Sequence, residues 1–224
     1  MFFADRIRAI SPGDRVLEVG PGNAPHPRAD VLLERRFDPR EALEQRGRTP
    51  DLVTDKTLVH YEGGRFPFAD REFDYVICSH VVEHVEDVEG FCAELFRVAR
   101  RGYLEFPTLH YEYLYNFPVH LQLLRFEAGE LRYLPKASSG LPAFAPVCAV
   151  FHRSLELGHA DLVDGLRDVM FQGFEWHQPF VVRRASGLDE LAAPVAEVPA
   201  PPAATRLVRR GLRWIEARLP RSAR

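Results

Sequence analysis

The segment Val16-Leu17-Glu18-Val19-Gly20-Pro21-Gly22-Asn23 constrains this 224-residue chain more than any other. A short strand-forming run ends in an acid and passes directly into a glycine-rich turn. Glycine lets the backbone come close to a ligand, and α/β folds bind ligands at the carboxyl edge of the sheet. A strand of this kind needs parallel neighbours, so further strands alternating with helices are expected downstream.

The rest of the first half supplies them. Residues 29–33 form a second apolar run ending at Glu34, and a third strand falls somewhere in residues 52–61. Residues 73–78 (FDYVIC) are aromatic and β-branched, a strong strand signal. A helix is predicted over residues 88–100: Asp87 is placed to cap it, and Phe91, Leu95 and Val98 form an apolar stripe. Gly102 is expected to supply the left-handed residue that stops it, before a fifth strand over residues 103–106. The second half is less regular. Residues 109–126 are strongly aromatic, residues 154–171 read as helical, and residues 174–183 as a terminal antiparallel hairpin turning at Gln178-Pro179.

The fold class is therefore α/β, with a mostly parallel central sheet, flanking helices and a C-terminal antiparallel hairpin. Three units are expected: a main domain over residues 1–190, a Pro/Ala linker over 191–204, and a basic amphipathic helix over 205–224.

Composition excludes several other classes. No apolar run approaches the roughly 18 residues of a membrane-spanning helix. Met1-Phe2-Phe3 is followed at once by Asp5, Arg6 and Arg8, which does not read as a secretory leader. Cys78, Cys92 and Cys148 have no metal-type spacing and suit reduced thiols, so no metal site is expected and the cytoplasm is the expected location. A net charge of −3 argues against a general nucleic-acid surface. No nucleophile elbow or P-loop is present.

A dinucleotide fold is the obvious competitor for the glycine turn, and its fingerprint fails twice. The third glycine position is Pro25, and Glu34 lies only 12 residues after Gly22, against roughly 20 in the dinucleotide pattern. His26-Pro27-Arg28 also leaves little room for a helix to hold a pyrophosphate.

The decisive constellation is Arg65-Phe66-Pro67-Phe68-Ala69-Asp70 followed by Glu72-Phe73-Asp74-Tyr75-Val76-Ile77-Cys78-Ser79-His80-Val81-Val82-Glu83-His84-Val85. With the VLEVGPGN turn and the GYLEFP segment, it resembles the class I S-adenosylmethionine-dependent methyltransferases of the small-molecule, methyltransferase-11-like type. The resemblance covers residues 16–108 and implies a Rossmann-like fold and S-adenosylmethionine as cofactor. It implies that Glu18, Gly20, Gly22 and Asn23 frame the methionine end, and that Glu34 grips the ribose hydroxyls. Glu62 would lie near the adenine amino group, and Ser79 and His80 beside the transferable methyl. The chain departs from the pattern at Ala24, where a glycine is usual, and in a short or missing first crossover helix.

Methyl transfer requires alignment of acceptor, methyl and sulfur, and a base only where the acceptor carries a proton at neutral pH. His80, His84 and His110 are the candidate catalytic residues, with His120 as a further candidate base. The Tyr111, Tyr113, Tyr115 and Phe117 alternation suits either an aromatic acceptor pocket or ordinary packing. The expected activity is methylation of an oxygen or nitrogen on a small-molecule or glycoconjugate acceptor. The alternative is a non-catalytic adenosylmethionine-binding or interaction protein that kept the fold.

The tail carries seven arginines and one acid, Glu216, over residues 205–224. Val208, Leu212, Ile215 and Leu219 share one helical face. Such a helix fits an anionic membrane surface or an acidic partner, and equally a helix docked on its own domain.

Overall fold

The computed structural model describes residues 1–37, 52–155 and 160–193. Most of the expected Pro/Ala linker and the whole expected basic helix lie outside the described residues. Among the described residues, no helix is long and apolar enough to cross a membrane.

A six-stranded sheet forms the centre. Its strands are β1 (Val16–Val19), β2 (Val31–Arg35), β3 (Thr57–Tyr61), β4 (Phe73–Ser79), β5 (Ala99–Pro107) and β8 (Phe171–Trp176), in spatial order β3-β2-β1-β4-β5-β8. The first five pair in parallel and β8 runs antiparallel to β5. β1 and most of β4 are buried on both faces, which is why they read as unbroken apolar runs rather than alternating ones. β3 is an edge strand with no fully buried residue, so its sequence lacks the apolar run that marks the ends of β1 and β4.

Side chains alternate between two cores. Leu17, Val19, Val76 and Cys78 point to one face, with Val88, Cys92, Leu95 and Val98 of helix α1 (Val88–Val98) packed over them. Each such buried side chain stabilises the fold by about 1.5–3 kcal/mol. Val16, Tyr75, Ile77 and Tyr103 point to the other face, covered by Phe3, Met170 and Phe171. Asp87 caps α1, its carboxylate accepting the Gly90 N–H at 2.9 Å.

Helix α1 ends earlier than expected, because Ala99 is already extended and begins β5. Gly102 therefore does not stop the helix. It lies inside β5, where an added Cβ would sit 2.5 Å from the Val76 carbonyl oxygen and 2.9 Å from the Trp176 ring. Close strand approach, not a left-handed turn, is what requires glycine there.

The second half departs further from expectation. Residues 109–126 divide into helix α2 (Leu109–Tyr115) and strand β6 (Gln122–Glu127). β6 forms an antiparallel hairpin with β7 (Glu130–Pro135) through Ala128-Gly129, both with positive φ, as a two-residue hairpin turn demands. Residues 145–170 hold helices α3 (Ala145–Ser154), α4 (Ala160–Gly165) and α5 (Arg167–Met170), and Phe171 already belongs to β8.

The expected C-terminal hairpin is not formed. β8 joins the central sheet beside β5, while β9 (Val181–Arg184) pairs in parallel with β7, giving a three-stranded sheet β6-β7-β9. The Gln178-Pro179 turn thus connects two sheets rather than two paired strands. Phe126 and Phe174 stack at 3.6 Å between ring centroids and join the sheets. The aromatic run on α2 follows helical, not alternating, geometry: Tyr111 packs on Phe171, Tyr115 is buried, and Tyr113 points outward.

Candidate functional site

The chain's winding reverses between β1 and β4, where ligand crevices form in open α/β sheets. The glycine turn leaves β1 at this point. Gly20 (φ 65°) and Gly22 (φ 60°) are both left-handed, and the Gly20 N–H donates to the Leu33 carbonyl at 2.9 Å. A Cβ on Gly20 would stand 2.4 Å from a methyl of Val81, so the turn is shaped closely around the β4 exit.

Beside it, a cavity of about 200 Å³ is lined by Glu18, Gly20, Ala24, His26 and Ser79, with Met1 and Ala4 of the N-terminal segment. Glu18 is 4% exposed and accepts the His26 N–H at 2.7 Å. Burial outweighs that hydrogen bond and raises its pKa to about 7. Asn23 and Gly22 are exposed on the outer lip of the turn.

Glu34 lies at the end of β2, 8% exposed, opposite His60 of β3. Its neighbour Arg35 lines a second, larger cleft of about 690 Å³, together with Tyr61, Glu62, His84, Asp87 and Leu121. Glu62 is exposed and pairs with Arg36 at 3.4 Å. Of the expected cofactor residues, Glu18, Gly20 and Ser79 line the smaller cavity and Glu62 the larger cleft, whereas Gly22, Asn23, Glu34 and His80 line neither.

At the exit of β4, His80 sits with φ 57° between two carboxylates. Its Nε2 lies 3.0 Å from Glu105 and its Nδ1 3.3 Å from Glu83. Burial opposes protonation, but the two carboxylates override it and lift the His80 pKa to about 9. Ser79 donates its hydroxyl to Glu105 at 2.9 Å. Phe2 and Phe171 stack at 3.8 Å, and each meets the His80 ring edge-on.

His84 is differently held. Its Nδ1 donates to the Val119 carbonyl at 3.1 Å, and burial lowers its pKa, so it stays neutral. Its ring packs edge-on against His120 at 4.7 Å. The Nδ1 of His120 makes a short contact with the fully buried Glu112, whose other oxygen lies 3.3 Å from Lys136. His110, half-buried near the start of α2, is away from the residues joined here.

Sequence reasoning gave no role to Glu83, Glu105, Glu112 or Lys136, all buried. A signal was present for one of them. Glu105 lies between Leu104 and Phe106 in the wholly buried stretch of β5 over residues 102–107, and a buried acid there demands partners.

The parallel sheet, the reversal between β1 and β4, and the antiparallel β8 make this a Rossmann-like class I methyltransferase fold. Residues 33–104 match the family model described as a methyltransferase domain, a span from the middle of β2 into β5. No curated protein sequence matches the chain. Among solved structures, an S-adenosylmethionine-dependent methyltransferase from Thermotoga maritima aligns at 20% identity, over 47% of this chain and 49% of its own, with a TM-score of 0.33. One from Mesorhizobium loti aligns at 16% identity, over 54% and 57%, with a TM-score of 0.32. One from Methanosarcina mazei aligns at 15% identity, over 53% and 69%, with a TM-score of 0.34. The first of these matches spans about half the length of the solved chain.

Proposed function

We propose that this protein transfers a methyl group from S-adenosylmethionine to an oxygen or nitrogen of a small-molecule or glycoconjugate acceptor. The observation that carries this reading is the buried Glu18 carboxylate beside left-handed Gly20 at the winding reversal, in a chain whose residues 33–104 match a methyltransferase domain.

The residues present fit the cofactor. Gly20 and Glu18 line the same cavity, and Glu18 offers a carboxylate to an amino group. Glu34 is an acid at the end of the second strand, and a carboxylate can accept two hydroxyl hydrogen bonds side by side. When bound, the cofactor supplies a methyl already activated on a sulfonium. The protein's share is alignment, which can be worth about 7–11 kcal/mol.

His80 is held as an imidazolium near neutral pH, so its part is positional: it ties the β4 exit to Glu105 and carries positive charge beside the site. The neutral His84 faces the larger cleft, beside Glu83 and His120.

Isothermal calorimetry of the full chain against S-adenosylmethionine, S-adenosylhomocysteine and NAD tests the reading. Binding of both adenosyl ligands with none of NAD supports it. Binding of NAD alone, or of none of the three, overturns it.

A further inference from the structure

We propose that Glu83, His84 and His120 bind one divalent transition-metal ion, Zn²⁺ being the species their donor set suits best. One ligand atom from each, a carboxylate oxygen and two imidazole nitrogens, lies within 4.8 Å of the others. Imidazole and carboxylate together select zinc and its first-row neighbours over calcium or magnesium.

The tautomers are already set for coordination. The Nδ1–H of His84 is spent on the Val119 carbonyl at 3.1 Å, which leaves a lone pair on Nε2. His120 turns its Nδ1 to the Glu112 carboxylate, which leaves Nε2 free in the same way. A carboxylate behind a histidine is the usual support for a metal-ligating imidazole, fixing its orientation and raising its basicity. Lys136 lies 3.3 Å from the second oxygen of Glu112 and holds that support in place.

The independent observation is Glu83. It is wholly buried, and neither carboxylate oxygen has a hydrogen-bond partner. His80 Nδ1, 3.3 Å away, lies in ion-pair range and is shared with Glu105 on its other nitrogen. One imidazolium shared between two buried carboxylates compensates Glu83 only in part, and a further cation would complete it. His84 Nε2, 4.0 Å from Glu83 Oε1, is a donor atom on the side where such a cation would lie. Bond lengths of about 2.0–2.2 Å require the three ligand atoms to draw somewhat closer than they stand.

The site opens to solvent through His84, which lines the larger cleft. Three protein ligands leave coordination positions free, as in zinc sites that act on a substrate rather than in structural ones. If the methyltransferase reading holds, the acceptor is then a compound with a hydroxyl or other oxygen donor that can ligate the ion. In that case His84 acts as a ligand, not as a general base. Binding of the metal itself does not rest on that reading.

The test is Zn²⁺ uptake by the full chain after chelation, measured by competition with a chromogenic chelator, with no adenosyl ligand present. One ion per chain is expected. Affinity should fall at least tenfold in His84→Ala and in His120→Ala, and about 10- to 100-fold in Glu112→Gln, which removes the supporting charge. His60→Ala and His177→Ala, at exposed positions, should leave it unchanged. X-ray absorption at the zinc edge of the wild-type protein needs no variant, and should resolve two imidazoles and a carboxylate. No uptake, a different donor shell, or binding that survives loss of both histidines overturns the proposal. Each of these outcomes is independent of whether adenosyl ligands bind.

Discussion

His80 and Glu105 meet at 3.0 Å, Nε2 to Oε1, where β4 and β5 leave the sheet. Glu105 is wholly buried, yet it gathers donors from three parts of the chain: the N–H groups of Phe2 and Phe3, the Ser79 hydroxyl and the Tyr103 hydroxyl. The carboxylate is thus the knot that ties the N-terminal segment to the β4 exit.

Burial alone would raise the pKa of Glu105, but hydrogen bonds from His80 and Tyr103 hold it down to about 2, from an ordinary 4.5. A group depressed in the folded state lends stability above its unfolded pKa and loses it as pH falls through the folded value. Urea unfolding of the wild type should therefore weaken steadily from pH 4.5 to pH 2. Glu105→Gln should cost about 3–5 kcal/mol at neutral pH and show a shallower acid limb. An acid limb of unchanged slope would remove Glu105 from this account.

Glu18 has the opposite sign. Its folded pKa of about 7 lies above the ordinary 4.5, so its contribution is complete below pH 4.5 and is lost as pH rises through 7. A ligand ammonium needs the ionised carboxylate. Affinity for S-adenosylmethionine should rise about tenfold per pH unit up to about pH 7 and level off above it. Calorimetry over that range should find Glu18→Gln weaker and nearly flat; a wild-type profile in the variant would mean that Glu18 does not meet the amino group.

Glu34→Ala should weaken adenosyl binding by about tenfold or more, the scale expected when hydroxyl contacts to a charged group are lost. The comparison that matters is Glu62→Ala. Glu62 is exposed and paired with Arg36, so its loss should change affinity far less. Equal effects in the two variants would place the ribose elsewhere.

Gly102→Ala and Gly22→Ala separate two reasons for keeping a glycine. At Gly102 the new methyl meets the Val76 carbonyl, which cannot move without parting β4 from β5. The variant should lose at least about 1–3 kcal/mol, the scale of overpacking a core, in thermal unfolding. At Gly22 a Cβ meets nothing within 4 Å, and only the left-handed φ resists it. The cost there should be about 1–2 kcal/mol, and cofactor affinity should fall more than stability.

What could be read from the sequence follows from how local each signal was. β1, β2, β4 and β5 lie within a few residues of their expected places, because each is an apolar run bounded by breakers. Residues 109–126 could not be divided in advance: α2 (LHYEYLY) and β6 (QLLRFE) are both short mixtures of apolar and polar residues, and periodicity over so few positions does not separate helix from strand. The segments around Gln178-Pro179 looked like two arms of a hairpin, and nothing local says that β8 and β9 belong to different sheets. The site was legible as residue types. Glu18 and Gly20 were placed together by their adjacency in sequence. His84 and His120, 36 positions apart, were placed together only by the return of β6 to the β4 exit, recorded in the Leu121 N–H bond to the Glu83 carbonyl at 2.7 Å.

The knot at Glu105 also sets a timetable for synthesis. Phe2 and Phe3 are made well before the carboxylate that accepts their N–H groups, which lies more than 100 residues later in the chain. The ring that Phe2 stacks upon, Phe171, comes later still. Contacts of such long sequence separation form late, because loop closure must precede any return from them. The cavity beside Glu18, walled in part by Met1 and Ala4, therefore cannot be complete until the chain through Phe171 has been made. A nascent chain paused before β8 would hold the glycine turn and its acid, yet lack the wall that closes over them.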